Sequence, residues 1–170
     1  MTGGRGGIFD PIRLAIELFL ETKKEALEEA RSMVAKETKG EKTIRKEEIE
    51  ERARKRVERE LGPKLRTRAR EMPELVESIG LVPALSFYYA KAKDKREESI
   101  AYRLYLRAIL RYLTEGLGVL DLSIDDALNS PAETLEKLYP LSSVAASLLR
   151  PFLVEFKRLC EASWKAERGE

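Results

Sequence analysis

The chain has no histidine and no glutamine, a single asparagine (Asn129) and a single cysteine (Cys160). Without histidine, the usual zinc constellations and the histidine-activated nucleophiles of hydrolases are out of reach. One cysteine cannot close an internal disulfide, so an oxidising compartment is disfavoured. No apolar run approaches the roughly 20 residues of a transmembrane helix. The N-terminus also lacks the charged start and apolar block of a secretory signal. These absences point to a soluble cytoplasmic protein with no membrane partner. The scarcity of amides, set beside abundant Glu, Lys and Arg, is the bias of proteins built for high temperature, and a thermophilic source is expected. Glycine is sparse too, apart from Gly3, Gly4, Gly6 and Gly7, so residues 1–9 read as a flexible tail.

What is present is helical. Apolar residues make up 43% and charged residues 36% of the chain, which excludes disorder and allows one core. Asp10-Pro11 is a cap and first-turn pair, and Ile12, Ile16, Phe19, Ala26, Ala30 and Met33 follow at three- and four-residue steps, predicting a helix over 11–36. A connector containing Gly40 leads to a second long helix carrying Ile49, Ala53, Val57 and Leu61. Gly62-Pro63 is expected to interrupt it, with helix resuming to Glu71. Pro73 and Gly80 bound a short helix over 73–79. Leu81, Val82, Ala84, Leu85, Phe87, Tyr88 and Tyr89 then cover most of a helix circumference, the mark of an inner helix over 81–93. Ile100, Leu104, Ile109 or Leu110, and Leu113 face the core from the next helix, which ends at Gly116. Ser130-Pro131-Ala132-Glu133 reads as a capping box for a helix over 131–138. A last helix over 141–166 contains Pro151. No stretch alternates as a strand does. The fold class is all-α, a single-domain bundle of six to seven helices over residues 10–168.

Charge is distributed unevenly along this scaffold. Over residues 52–70 nine basic residues face two acidic ones, a local net of +7 in a chain whose total is only +2. Arg52, Arg56 and Arg59 share one helix sector and Arg66 and Arg70 follow, a stripe suited to phosphates because each neutralised phosphate releases counterions. Lys91, Lys93, Lys95 and Arg96 form a second group, and Arg103, Arg107 and Arg111 recur at four-residue steps. Residues 115–136 are acidic. The same stripe fits a solvated ion-pair lattice equally well. Arg5 among glycines resembles an Arg-Gly element, and tail disorder accounts for it as well.

Catalytic equipment is missing from the pattern. Asp121, Ser123 and Asp125 imitate the first ligands of a calcium loop, but Asp126 stands where glycine is required and Ala132 where glutamate is, so capping is the better account. Cys160 shares a stripe with Phe152, Phe156 and Leu159, as a buried inert thiol does. Gly116-Leu117-Gly118 lacks the rest of a phosphate-binding fingerprint. No catalytic residue, metal site or cofactor is expected, and the chain reads as a non-enzyme.

The order of a basic helix, Met72-Pro73-Glu74-Leu75-Val76, Gly80-Leu81-Val82-Pro83-Ala84-Leu85-Ser86-Phe87, a Tyr/Leu-rich helix, an acidic loop and Phe152-Leu-Val-Glu-Phe156-Lys-Arg-Leu-Cys160-Glu-Ala162 resembles the small subunit of the Cmr complex, the type III-B CRISPR–Cas effector. The resemblance spans about residues 44–166. It implies a non-catalytic helical subunit of antiviral defence, stacked in several copies along the complex. Its partners would be other effector subunits, among them the large polymerase-like subunit and the guide-binding backbone subunit, together with guide and target RNA. Charge geometry, rather than any family motif, nominates Arg52, Arg56, Arg59, Arg66 and Arg70 as the RNA-facing set, with Lys91, Lys93 and Arg96 second. The small subunit of the sister type III-A complex and a helical adaptor that binds only proteins are the alternatives.

Overall fold

The structure is a computed structural model that describes residues 9–41 and 43–168. Among these residues every regular element is helical: α1 (Pro11–Glu37), α2 (Lys46–Arg56), a π turn (Val57–Leu61), α3 (Gly62–Ile79), α4 (Leu81–Lys91), α5 (Glu97–Arg111), a second π turn (Tyr112–Gly116), α6 (Ile124–Asn129), α7 (Pro131–Leu138), a 3-10 turn (Tyr139–Leu141) and α8 (Ser142–Ser163). Because the π turns continue their helices, these segments form seven rods around one core. The expected tail, Arg5 included, lies outside the described residues except for Phe9, whose ring is 5.9 Å from that of Tyr112.

The centre is α5. Ten of its fifteen residues are buried, among them Ile100, Leu104, Ile109 and Leu110 as the periodicity predicts. Aromatic rings link its neighbours through it: Tyr88 of α4 lies 5.0 Å from Tyr102 and 5.8 Å from Tyr105. Tyr105 lies 5.3 Å from Phe156 of α8, and Phe156 lies 5.4 Å edge-on to Phe19 of α1. Gly80, at φ +89°, ends α3 and starts α4, a conformation that favours glycine. Tyr88 and Tyr89 are buried as expected of an inner helix, whereas Phe87 is 42% exposed.

Three expectations about boundaries need correction, each for a physical reason. Gly62-Pro63 does not interrupt the second helix. A widened turn, closed by the bond from Gly62 N–H to the Val57 carbonyl, relieves the clash that Pro63 would make with the preceding turn. Glycine is needed at position 62 because a side-chain carbon there would collide with the Trp164 indole. Pro73 likewise lies inside α3, whose buried line of Leu65, Ala69 and Met72 is held against α5 and α8, so packing outweighs one lost hydrogen bond. Ser130 is the shared boundary of α6 and α7, with its carbonyl accepting from Thr134 Oγ1 at 2.7 Å; its side chain makes no cap bond, so the capping box does not form.

The buried face of α1 is also shifted from expectation. Phe19, Ala26 and Ala30 are buried, but Ile12 and Ile16 are 51% and 40% exposed, and Ala15, Leu18, Thr22 and Val34 complete the buried line instead. An interhelical ladder accompanies this rotation: Glu29 meets Arg103 at 3.2 Å, Glu25 meets Arg107 at 3.5 Å, and Glu21 pairs with Arg111. Carboxylates rising and guanidiniums falling by fours make α1 and α5 antiparallel. We expect Gly62→Ala to destabilise the fold by about 1–3 kcal/mol through overpacking against Trp164, read as a lower denaturation midpoint at unchanged slope. An unchanged midpoint would show that the indole moves aside freely.

Candidate nucleic-acid interface

The sequence nominates eight cations, and the structure divides them by what already holds them. Arg56 is the most constrained. Its Nη1 is 2.6 Å from Glu37 at the end of α1, its Nη2 is 2.7 Å from Glu97 at the start of α5, and its Nε is 3.3 Å from Glu60 in the π turn. Arg52 lies 2.8 Å from Glu48 and 3.9 Å from Glu41, both exposed contacts of small energetic weight. Two of the three stripe arginines are therefore engaged by the chain's own carboxylates. Arg59, one turn on from Arg56, is exposed and makes no ion pair among the described residues.

Arg66 and Arg70 belong to a different face. Arg66 Nη1 donates to the Trp164 carbonyl at 2.9 Å, and Arg70 Nε is 3.8 Å from Glu161, so both lie along the end of α8. The segment after α8 also reaches back to Lys64 through Glu167 at 3.8 Å. The eight residues thus do not share one surface. Lys91 lies over the Phe87 ring at 5.5 Å, while Lys93 and Arg96 are exposed and carry no ion pair among the described residues.

The contact between Arg56 and Glu97 joins the two nominated groups. It fixes the π turn beside the start of α5, so Arg59 lies one turn from the contact on one side, and Arg96 lies one residue from it on the other. Lys93 and Lys95 lead into the same helix start. The Arg56–Glu97 contact thus links the helix that carries Arg59 to the helix start that follows Lys93 and Arg96.

Sequence reasoning missed two things here. Arg68, counted in the basic run, is buried: it hydrogen-bonds the Tyr102 hydroxyl and lies 4.5 Å over that ring. Its spacing from Leu65 and Met72 places it on the apolar side of α3, which was the available signal. Arg103, Arg107 and Arg111 are likewise not a free extension of the basic surface, because the glutamates of α1 neutralise them. The acidic mimic of a calcium loop is the start of α6, where the Ser123 hydroxyl accepts from Asp126 N–H at 3.1 Å. Cys160 is buried, and burial pushes its thiol up, away from a reactive thiolate. Among the described residues no group of three or more His, Cys, Asp or Glu is placed to hold a metal ion, and no helix is long and apolar enough to cross a membrane.

Glu60 reports on the Arg56 cluster. A hydrogen bond with Glu97 and partial burial raise its pKa, against the pull of Arg56 and Lys64. A carboxyl with a raised folded-state pKa favours folding below the ordinary carboxylate pKa and loses that contribution as pH rises through the raised value. Glu60→Gln keeps a donor towards Glu97 and removes the charge. It is expected to raise the melting temperature near pH 7 and to change little at about pH 4; a lower melting temperature near neutrality contradicts this picture of the cluster.

Comparison with known proteins places the chain in a family. Residues 42–140 match the family model described as CRISPR-associated protein (Cas_Cmr5). The chain is 28% identical over 128 residues to the CRISPR system CMR subunit Cmr5 of Saccharolobus solfataricus, covering 62% of this chain and 82% of that protein. No solved structure matches. The matched span runs from the foot of α2 through α7 and includes Arg56, Arg59, Lys93 and Arg96. A helical chain whose π-turn and α5 junction falls inside that span belongs to the Cmr5 family of CRISPR-associated proteins, the small subunit of the Cmr complex.

Proposed function

We propose that this chain is a non-catalytic subunit of the type III-B effector that stacks with further copies of itself and holds target RNA by its backbone in antiviral defence. Its other partners are the large polymerase-like subunit, the guide-binding backbone subunit and the guide RNA. Sequence recognition lies in guide–target pairing, so contacts from this subunit go to phosphates with little base preference. It works in the cytoplasm, where the effector meets its target.

The observation that carries this reading is the junction of exposed cations around the start of α5 that make no ion pair among the described residues: Arg59 on one side, Lys93 and Arg96 on the other. Arg52, Arg56, Arg66, Arg70 and Lys91 enter the RNA surface only by exchanging a protein partner for a phosphate. That exchange costs little for the exposed Arg52 and more for Arg56, which three carboxylates hold. The paired state of so many arginines favours one second reading, an adaptor that touches only protein. The small subunit of a type III-A complex would use the same geometry.

Salt titration separates these readings. Reversing Arg59, Lys93 and Arg96 together to Glu is expected to weaken single-stranded RNA binding at least tenfold. It is also expected to lower the slope of log K against log salt by about 2, since each lost phosphate contact removes about 0.7. Helicity is expected to be unchanged. Equal slopes for the two proteins, or no RNA binding by the assembled complex through this subunit, support the adaptor.

A further inference from the structure

Three aromatic rings stand exposed among the described residues: Phe9, Phe87 and Tyr139. Of these only Phe87 has a cation over it, with Lys91 Nζ 5.5 Å from the ring centroid. The rest of the aromatic group on α4 is buried, Tyr88 completely and Tyr89 almost so. A single exposed apolar side chain is ordinary on a protein surface. What sets Phe87 apart is how its ring is held and what surrounds it.

The ring is braced from within the core. Tyr88 meets it at 6.0 Å and 67°, and Tyr102 of α5 meets it at 6.1 Å and 76°. Both contacts are steep, so no aromatic ring among the described residues lies flat on Phe87. The two tyrosines are themselves fixed through Arg68. The Tyr88 hydroxyl donates to the Arg68 carbonyl at 2.7 Å, while the Arg68 guanidinium donates to the Tyr102 hydroxyl and lies 4.5 Å from the centre of that ring. Glu71 and Glu98, at 3.5 and 3.8 Å, hold the guanidinium in turn. A ring braced in this way loses little freedom when something stacks on it.

The surroundings are cationic. Residues 91–96 contain Lys91, Lys93, Lys95 and Arg96 against Asp94 alone, four cations to one carboxylate and a local net of +3. Lys91 stands one turn beyond Phe87 on α4, and the other three lie in the connection from α4 to α5. An aromatic anchor for a protein partner belongs at a centre depleted of charge. A ring set among cations instead matches the way single-stranded nucleic acid is held, with bases stacked on the rings and phosphates met by the cations.

We propose that Phe87 is a base-stacking platform, on which an unpaired base of the bound RNA strand takes the place that Lys91 now covers. The ammonium of Lys91 then turns to the phosphate beside that base. The proposal rests on the RNA-holding reading above and adds one base to its phosphate contacts. It adds no sequence preference, because every base has a π-face to offer.

Binding of the full chain to a single-stranded oligoadenylate, and to an abasic strand of the same length and charge, tests the platform. The unaltered protein is expected to bind the oligoadenylate about tenfold more tightly, the scale of one stacked base. Phe87→Leu is expected to lose that difference while keeping its helicity and the salt slope, since no phosphate contact is removed. Phe87→Trp is expected to keep the difference, and the fluorescence of the added indole is expected to fall with the oligoadenylate but not with the abasic strand. Equal affinity of the unaltered protein for the two strands, or a difference that survives in Phe87→Leu, overturns the platform and leaves the phosphate reading standing. Absence of salt-dependent binding to either strand overturns both. A Phe87→Leu protein that binds both strands normally but no longer joins the other effector subunits makes the ring a protein contact, and the platform fails.

Discussion

The guanidinium of Arg56 is the point on which both the fold and the site turn. The end of α1, the π turn and the start of α5 each bring a carboxylate to it, at 2.6 to 3.3 Å. Three acidic groups this close repel one another unless a cation lies between them. Because Arg56 cannot deprotonate, it holds the three helix ends together at every physiological pH. The same clamp decides which charges remain available: it occupies its own guanidinium and leaves Arg59, one turn on, exposed. The exposed positive surface is thus a remainder, left after the chain has satisfied its own carboxylates.

The two kinds of arginine contact have different consequences. The ladder of Glu21, Glu25 and Glu29 with Arg111, Arg107 and Arg103 is local in effect, setting how α1 lies on α5. Individually such partly exposed pairs contribute little to stability. Together they mark the edge of α1 that meets α5, and the buried line of Ala15, Leu18, Phe19, Thr22, Ala26 and Ala30 runs beside it. Small side chains at Ala15, Ala26 and Ala30 let the helix approach closely, and Ile12, Ile16 and Leu20 are turned outward as a result. An ion-pair ladder on one edge of α1 thus stands opposite an exposed apolar stripe on the other.

Much of this fold is legible in the sequence because its core is built from residues that repeat at helical spacing. Tyr88, Ile100, Leu104, Phe152 and Phe156 are buried as their periodicity requires, and Gly80 stands where a helix end needs positive φ. What was not legible depends on partners distant in the chain. Pro63 and Pro73 read as breaks, because a local rule contains no term for the π turn and the α8 packing that absorb them. The stripe at Arg52 and Arg56 reads equally as free or as ion-paired, because Glu48 and Glu60 lie on the same helix but Glu41, Glu37 and Glu97 come from elsewhere in the fold. Arg66 and Arg70 read as part of the basic surface on local charge alone, and charge says nothing of the Trp164 carbonyl and Glu161 that α8 brings to them. Arg59, Lys93 and Arg96 stay available because, among the described residues, no carboxylate from another helix reaches them.

The central claim is that the available cations at the start of α5, and not the paired arginines around them, meet the target strand. Lysine-reactivity footprinting of the assembled effector, with and without target RNA, tests this most directly. The account predicts that Lys93 and Lys95 lose reactivity when RNA is bound, while Lys24, exposed on α1, keeps it. Unchanged labelling of Lys93 and Lys95 in the RNA-bound complex would contradict it.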